Sequence, residues 1–450
     1  MQYTHAHARS SVRAASALAA GALILSGLTG CAGAAGSASA ETEEVDLDAA
    51  LEQPAELTFW TWSTNVQAVV DAFEEKYPKI SIEVVNVGTG NDHYTKLQNA
   101  IKAGTGAPDI ATVEYNVLPQ FALEESIVDL KKFGFEEYEE DFSPAAWEAV
   151  NVGGGLYELP HNSGPMALFY NASLFERLGV AVPTTWDEYL EAARAIRLAD
   201  PEAYIAADTG DSGFTQSMIW AFGGTPFSAE GSDVTIDLGD EGTTRFADFY
   251  QQLIDEELLA PISSWSDEWY KGLASGKIAT LATGAWMAGS LASGVKEGAG
   301  QWRVAPLPTL EKGEKASAMN GGGGFAIPAQ SKNQAAAAAF LRFMETGEGR
   351  PIWIAAGQFP TMKEDLESEE FLSATNPFFG GQEINKIFAQ SAADVRKGWQ
   401  FLPYTGYAGT IFGDYVGKAY LGEQTLAEGL QAWGDALITY GEQQGFTVDK

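Results

Sequence analysis

The chain of 450 residues contains little histidine, cysteine and positive charge, and each shortage argues against a class of function. It has four histidines and one cysteine, which argues against a structural zinc site and against catalysis by a histidine base. Lysine and arginine total 27 against 61 acidic residues, and the formal net charge is −34. Such a charge repels phosphate backbones, so we expect no nucleic-acid partner.

Sequence motifs of catalysis are also missing. No HExxH pattern, CxxC pattern or Walker lysine occurs, and the Gly-Thr-Gly segments at 88–90 and 104–106 lack the context of a dinucleotide site. The segment 210–213 (GDSG) is similar to the nucleophile segment of trypsin-like proteases, but the α/β pattern around it disagrees with that fold. Glycoside hydrolysis by two carboxylates stays open, because a chain with 61 acids always contains such pairs.

The N-terminus carries an export signal. Arg9 and Arg13 precede a small, apolar run from Ala14 to Leu28, the order of a secretory signal peptide. The run ends in LTGC, which resembles the lipobox of bacterial lipoproteins, in which the cysteine receives a diacylglycerol. Cys31 is the only cysteine and has no partner for an internal disulfide. We therefore predict a signal peptide over 1–30, lipidation of Cys31, and a flexible tether over 31–54.

The body of the chain alternates strand-like and helix-like patterns, which is typical of an α/β protein with mainly parallel sheets. Its first part predicts a βαβαβ unit with strands at 57–62, 80–87 and 109–113 and helices at 65–77 and 94–103. Ligands of such sheets bind beyond the carboxyl ends of the strands. Those ends are 62–65 and 114–116. No second apolar run approaches the roughly eighteen residues of a membrane-spanning helix.

The second part predicts more helices and two further strands. Thr185 is expected to cap a helix to about Ala199, with Glu188 at the capping-box distance. Gly321 to Gly324 predict a segment that is neither helix nor strand interior, in which the backbone approaches a ligand or another chain segment closely; a flexible linker is the alternative. The remaining predicted helices are 172–178, 243–257, 267–273 and 335–344, and the predicted strands are 278–282 and 304–307.

Several segments together resemble a known family. They include LTFWTWS (57–63), YTKLQNAIKAGTGAPDIATVE (94–114), GLASGKIATLATGAW (272–286) and GGGGFAIPAQSKNQAAAAAFLRFM (321–344). In order and spacing they are similar to the extracellular solute-binding proteins of ABC transporters, in the sugar-binding group that includes maltose- and maltodextrin-binding proteins. The aromatic content of 12%, with 12 tryptophans, is consistent with sugar ligands, whose C–H faces stack on aromatic rings.

The resemblance implies a periplasmic-binding-protein-like fold, with two α/β lobes around a cleft and a hinge of several crossings. Lobe one would comprise 55–165 and 318–357, and lobe two 166–317 and 358–450. The protein would be a monomer without cofactor or metal, held by lipid at the outer face of the cytoplasmic membrane. It would capture a carbohydrate there, do no catalysis, and pass its ligand to the transmembrane subunits of an ABC permease.

The resemblance also implies ligand-binding residues, which are mainly aromatic and polar side chains near strand ends. They are Trp62, Asn65, Glu114, Tyr115, Asn162, Asp211, Phe214, Trp286, Gly322, Gly323, Trp399 and Tyr404. No basic residue lies between Trp60 and Val70, where maltodextrin binders carry one, which argues against maltose. A non-sugar ligand such as a polyamine, bound by Glu114 and Asp211, is the alternative.

Overall fold

The computed structural model describes residues 45–63, 65–356 and 358–450. The predicted signal peptide, Cys31 and the tether up to residue 44 lie outside the described residues. The strands are β1 (Ala55–Trp60), β2 (Ile80–Val85), β3 (Ile110–Glu114), β4 (Asn151–Val152), β5 (Gly155–Leu156), β6 (Pro160–Asn171), β7 (Ala206–Ala207), β8 (Phe227–Glu230), β9 (Asp233–Ile236), β10 (Leu259–Ala260), β11 (Thr280–Gly284), β12 (Trp302–Pro306), β13 (Met319–Ala326) and β14 (Thr447–Asp449).

Helices connect and cover these strands. They are α1 (Leu47–Leu51), α2 (Gln67–Lys76), α3 (Asn91–Ala103), α4 (Leu118–Leu123), α5 (Pro144–Val150), α6 (Ala172–Leu178), α7 (Trp186–Ala199), α8 (Ser212–Ala221), α9 (Glu241–Asp255), α10 (Asp267–Ser275), α11 (Met287–Gly294), α12 (Gln334–Glu345), α13 (Gly349–Ala355), α14 (Lys363–Leu366), α15 (Glu369–Ser373), α16 (Ile384–Ala393), α17 (Thr405–Tyr415), α18 (Gly417–Tyr420) and α19 (Leu426–Gln444). The described residues also include four short 3-10 segments, at Leu130–Phe133, Phe135–Asp141, Lys296–Gly298 and Pro377–Phe379.

The first part of the chain forms the predicted βαβαβ unit. Strand β1 pairs in parallel with β2 and with β3, and helices α2 and α3 form the two crossovers. One face of α2 buries Val69, Val70 and Phe73 against the sheet. Helix α3 ends at Gly104, whose φ of 69° is the left-handed value that glycine adopts without strain. The prediction for this part is therefore confirmed.

The main sheet as a whole is mixed, and the prediction of mainly parallel sheets is wrong. Its strand order is β11-β6-β13-β3-β1-β2, and β12 also pairs with β6. Strand β13 runs antiparallel to both β3 and β6, and β11 and β12 run antiparallel to β6. The physical reason is the connection between the two halves. The chain runs out of the first half along β6 and back into it along the adjacent β13. Because these two neighbouring strands run in opposite directions, they pair as antiparallel strands.

The glycine run 321–324 lies inside β13, so the prediction that it could not be strand interior is also wrong. Its pairing with β6 is irregular, and Gly321 and Gly322 have φ values of +77° and +115°. A Cβ atom at Gly323 would lie 2.7 Å from the carbonyl oxygen of Val113, and one at Gly324 would lie 2.7 Å from that of Leu159. The glycines allow β13 to fit between two strands, which confirms the expected close approach to another chain segment.

The second part of the chain follows its local signals closely. Helix α6 has the predicted bounds, and Thr185 caps α7 by accepting a hydrogen bond from the Glu188 N–H at 3.2 Å. The Glu188 carboxylate accepts from the N–H of Thr184 at 2.8 Å, one residue before the cap. Helices α9, α10 and α12 occur where predicted, within two residues. The strands predicted at 278–282 and 304–307 correspond to β11 and β12, and each pairs with β6.

The last residues of the predicted flexible tether form a helix. Asp46 caps α1, Leu47 and Leu51 are buried, and the Arg342 guanidinium of α12 forms an ion pair with Asp48. Burial of Leu47 and Leu51 stabilises the packing of α1 against the rest of the protein, which a free tether would not allow. The prediction of flexibility is therefore wrong for residues 47–51. In the described part of the chain, no helix combines the length and the apolar character that crossing a membrane requires.

Candidate ligand-binding site

Trp286 is fixed where the end of β11 meets β13. It directly follows Gly284-Ala285, and its indole Nε1–H donates a hydrogen bond to the carbonyl oxygen of Asn320 at 2.6 Å. The Asn320 side chain is itself held, because its Oδ1 accepts from Thr283 and its Nδ2 donates to Ser217, each at 2.9 Å. Trp286 is half-buried, so part of its ring is held in place and part is accessible.

A first cavity of about 130 Å³ contains three of the predicted residues, Trp286, Asp211 and Phe214. It is also lined by Trp265, which the sequence did not identify. The Trp265 ring stacks on Trp286, with 5.6 Å between centroids and 29° between planes, and 49% of the residue is exposed. Its φ of 70° is unusual for a bulky residue and costs about 1–3 kcal/mol. Strain and exposure together are typical of a residue kept for binding.

Asp208 also lines the first cavity and was missed. The residue is 6% exposed, and its carboxylate accepts hydrogen bonds from the hydroxyls of Tyr250 and Tyr420, each at 2.9 Å, and from the Gly210 N–H. Burial raises the pKa of Asp208, while these hydrogen bonds lower it. Asp211 caps α8 by accepting from the Phe214 N–H at 2.9 Å. Both carboxylates of the cavity are therefore already hydrogen-bonded within the protein.

A second cavity of about 850 Å³ adjoins the other one through Trp286, which lines both. It contains the predicted residues Asn65 and Asn162. The Asn65 Nδ2–H donates to the carbonyl oxygen of Ala356 at 3.2 Å. The second cavity is also lined by the first turns of α11 and by residues of 351–388 that resemblance to the family did not single out.

Trp62 and Glu114 lie together at the end of the parallel strands, but they line neither cavity. Trp62 packs edge-on against His93, 4.9 Å between centroids, and against Tyr94. The Tyr94 hydroxyl donates to the Glu114 carboxylate at 2.8 Å, and burial raises the pKa of Glu114. Burial also lowers the pKa of His93 to about 4, so its imidazole is neutral at pH 7.

The remaining predicted residues are distributed over other surroundings. Tyr115 and Trp399 line a third cavity of about 260 Å³ with Trp220, on which the Trp399 ring stacks at 5.3 Å. The Tyr115 hydroxyl donates to the carbonyl oxygen of Asn162 at 2.9 Å. Tyr404 packs against Tyr440 and lines a fourth cavity. Two further predicted residues, Gly322 and Gly323, belong to the β13 ladder. The structure thus groups only part of the predicted set around Trp286.

A buried acidic group lies under the start of β6. Glu158 is fully buried, and burial and then the neighbouring Glu345 carboxylate raise its pKa well above the usual range, although the Gly324 backbone lowers it. The Glu345 carboxylate is 2.7 Å from Nδ1 of His161, and burial raises the pKa of Glu345. Both effects favour the protonated form of Glu158, since a second buried negative charge near Glu345 would be costly.

Replacing Glu158 with glutamine should change how stability depends on pH. Below the unfolded-state pKa of about 4.3 the wild-type group is protonated in both states. As pH rises towards the folded-state pKa, only the unfolded chain releases the proton, so the wild type loses stability. Glu158→Gln keeps the shape without the ionisation. We expect the free energy of unfolding of Glu158→Gln to exceed that of the wild type at pH 8, and by much less at pH 4.

Urea unfolding at both pH values measures this difference, with the exposed Glu136→Gln as the matched control. An equal free energy of unfolding for Glu158→Gln and wild type at pH 8 would show that Glu158 is not held protonated.

In the described part of the chain, no three His, Cys, Asp or Glu side chains are grouped as a metal site requires.

Comparison with known proteins gives consistent results. The family described as bacterial extracellular solute-binding protein matches residues 61–350. An arabinooligosaccharide-binding protein of Bacillus subtilis (strain 168) is 28% identical over 338 residues, which are 72% of this chain and 77% of that protein.

Two solved structures extend the similarity to most of the chain. The ABC transporter associated binding protein from B. animalis subsp. lactis Bl-04, in complex with beta-1,6-galactobiose, has 43% identity and a TM-score of 0.79, covering 88% of this chain and all of that one. The galacto-N-biose-/lacto-N-biose I-binding protein of Bifidobacterium longum, in complex with lacto-N-biose, has 25% identity and a TM-score of 0.76, covering 88% and 99%. These similarities confirm the predicted two-lobed α/β fold.

Proposed function

The chain belongs to the bacterial extracellular solute-binding protein family, and from this membership we propose that it captures a neutral oligosaccharide for an ABC importer. The observation that carries this proposal is Trp286. Its indole is anchored through Nε1 to Asn320, and its ring lies between two cavities. An anchored, partly accessible tryptophan gives a pyranose a rigid apolar face on which to stack.

We propose a β-1,6-linked galacto-oligosaccharide as the ligand. The relative in complex with beta-1,6-galactobiose shares 43% identity with this chain. The match covers 88% of this chain and all of the relative. Buried hydrogen-bonding groups of the site would discriminate between isomers, because an analogue that lacks one hydroxyl leaves a polar group unpaired at a cost of about 1–3 kcal/mol.

A cationic ligand such as a polyamine is less well supported. It would need several free carboxylates, but those of Asp208, Asp211 and Glu114 already accept hydrogen bonds from protein groups. We also propose that the protein does no covalent chemistry, in keeping with relatives that are named as binding proteins.

We propose that the two lobes are 55–165 with 318–357 and 166–317 with 358–450. Strands β6 and β13 would cross between them near Pro165 and Met319, which are paired with each other. Ligand binding would close the lobes about these crossings, and the permease would respond to the closed form. The pairing of β6 with both β13 and β11 supports this assignment, because the two partners contact different halves of one strand.

Thermal denaturation of the full chain with a panel of compounds tests the ligand class. A ligand that binds only the folded state raises stability by RT ln(1 + [L]/Kd). We expect β-1,6-galactobiose to raise the melting temperature, and spermidine and inorganic phosphate to leave it unchanged. A shift with spermidine and none with any saccharide would overturn the carbohydrate assignment while keeping the fold.

We propose that lipid on Cys31 anchors the protein to the outer face of the cytoplasmic membrane, on the basis of the lipobox-like LTGC at 28–31. Cys31→Ser removes the thiol that would carry the diacylglycerol. The variant should move from the membrane fraction to the soluble fraction of an expressing bacterium and lose incorporation of labelled palmitate. Continued recovery with membranes, with label retained, would contradict this proposal.

A further inference from the structure

The two cavities that share Trp286 differ greatly in size. The first has about 130 Å³ and the second about 850 Å³. Sites for small organic ligands commonly occupy about 300–1,000 Å³. The first cavity alone is too small for a disaccharide, whereas the second can hold several sugar units.

Trp265 restricts how a sugar reaches Trp286. The centroid distance of 5.6 Å and the small angle between the rings leave no space for a pyranose between the two indoles. Trp265 also packs against Trp269, 5.2 Å between centroids, which supports its position. The part of Trp286 that remains open to a sugar therefore adjoins the second cavity.

The chemistry of the second cavity fits a neutral sugar chain. Its polar lining consists largely of amides and hydroxyls, including Asn162, Ser163, Ser290 and Asn376, and no lysine or arginine lines it. The Asp365 carboxylate in its wall is 3.0 Å from the Arg350 guanidinium, which neutralises it. Amides and hydroxyls can both donate to and accept from sugar hydroxyls. Glu370, which is exposed, also lines the cavity, and its carboxylate can accept from sugar hydroxyls but repels an anionic sugar.

From this arrangement we infer that the ligand is a linear, neutral oligosaccharide of at least three sugar units. One unit stacks on Trp286, and the chain continues into the second cavity along the first turns of α11. This inference rests on the proposed carbohydrate function and adds chain length and direction to it. A disaccharide fills only part of the site, so each further unit that enters the cavity adds contacts.

Calorimetric titration of the full chain with β-1,6-linked galacto-oligosaccharides of two, three and four units tests the inference. We expect the affinity to rise at least tenfold from the disaccharide to the tetrasaccharide. A disaccharide that binds as tightly as the tetrasaccharide would overturn the inference and leave the proposed function intact. Absence of binding at every length would instead count against the proposed galactoside ligand itself.

Gly289 offers a variant that fills the second cavity. It lies in α11, lines the cavity, and a Cβ atom there would have no neighbour within 4 Å. Gly289→Phe should therefore fold, and the ring should occupy the space meant for the later sugar units. We expect the tenfold gain in affinity from two to four sugar units to disappear.

Gly409→Phe is the matched control, because Gly409 also lies in a helix, has equally open space and lines none of the four cavities described above. Gly409→Phe should keep the full tenfold gain in affinity from two to four sugar units. If Gly289→Phe keeps the gain as well, and melts at the same temperature as the control, the chain does not run along α11. The titrations of the wild type test chain length independently of both variants.

Discussion

Trp286→Ala is expected to weaken oligosaccharide binding at least about a hundredfold. The substitution removes the one aromatic ring shared by both cavities, and stacking on such a ring contributes much of the affinity in sites of this kind. The fold should tolerate the change, since Trp286 is half-buried and its hydrogen-bond partner is a backbone carbonyl of β13. The variant should therefore lose affinity for the oligosaccharide while keeping the melting temperature of the wild type.

Calorimetric titration with β-1,6-galactobiose, paired with thermal denaturation, measures both effects. Trp286→Phe is the conservative comparison, because it keeps an aromatic face and loses only the hydrogen bond to Asn320. Its affinity should lie between those of the wild type and the alanine variant. Wild-type affinity in Trp286→Ala would show that the sugar binds elsewhere.

Gly164→Ala should have the largest effect on stability and should also disturb the site. A Cβ atom at Gly164 would lie 2.1 Å from the backbone carbonyl oxygen of Asn320, far too close for a carbon and an oxygen that are not bonded. Strands β6 and β13 must then separate where they cross. Overpacking of this kind costs about 1–3 kcal/mol. The same carbonyl accepts the hydrogen bond of Trp286, so oligosaccharide affinity should fall together with stability.

Gly289→Ala is the control for Gly164→Ala, since its Cβ meets open space in a helix that alanine favours over glycine. It should be neutral or slightly stabilising. Urea unfolding and titration with β-1,6-galactobiose give the two quantities for each variant. A Gly164→Ala protein as stable as the wild type would mean that β6 and β13 do not approach as closely as described.

The sequence predicted best those elements that have local start and stop signals. Helix α6 has its cap in Asn171 and its left-handed terminator in Gly179, and its predicted bounds are the observed ones. The direction of β13 and the position of the glycine run within it could not be predicted from the neighbouring sequence. They depend on β3 and β6, whose residues lie 150 or more positions away along the chain. A run of glycines alone does not reveal which strands it fits between.

The candidate site was predictable only in part for a similar reason. Trp286 follows a recognisable strand, but the features that place it between two cavities, Trp265 and the Asn320 carbonyl, come from separate segments. Asp208 gave no signal among 61 acids, because its role depends on Tyr250 and Tyr420, far along the chain. The roles of Trp399 and Tyr404 in binding remain predictions, and their rings lie in other cavities.

A crystal structure of the full chain with β-1,6-galactobiose tests the central claim most directly. We expect one pyranose ring against the Trp286 indole, with carbon atoms within about 4 Å of its face, and the second sugar unit pointing into the cavity of about 850 Å³. A disaccharide bound away from Trp286, with that ring uncontacted, would contradict the account.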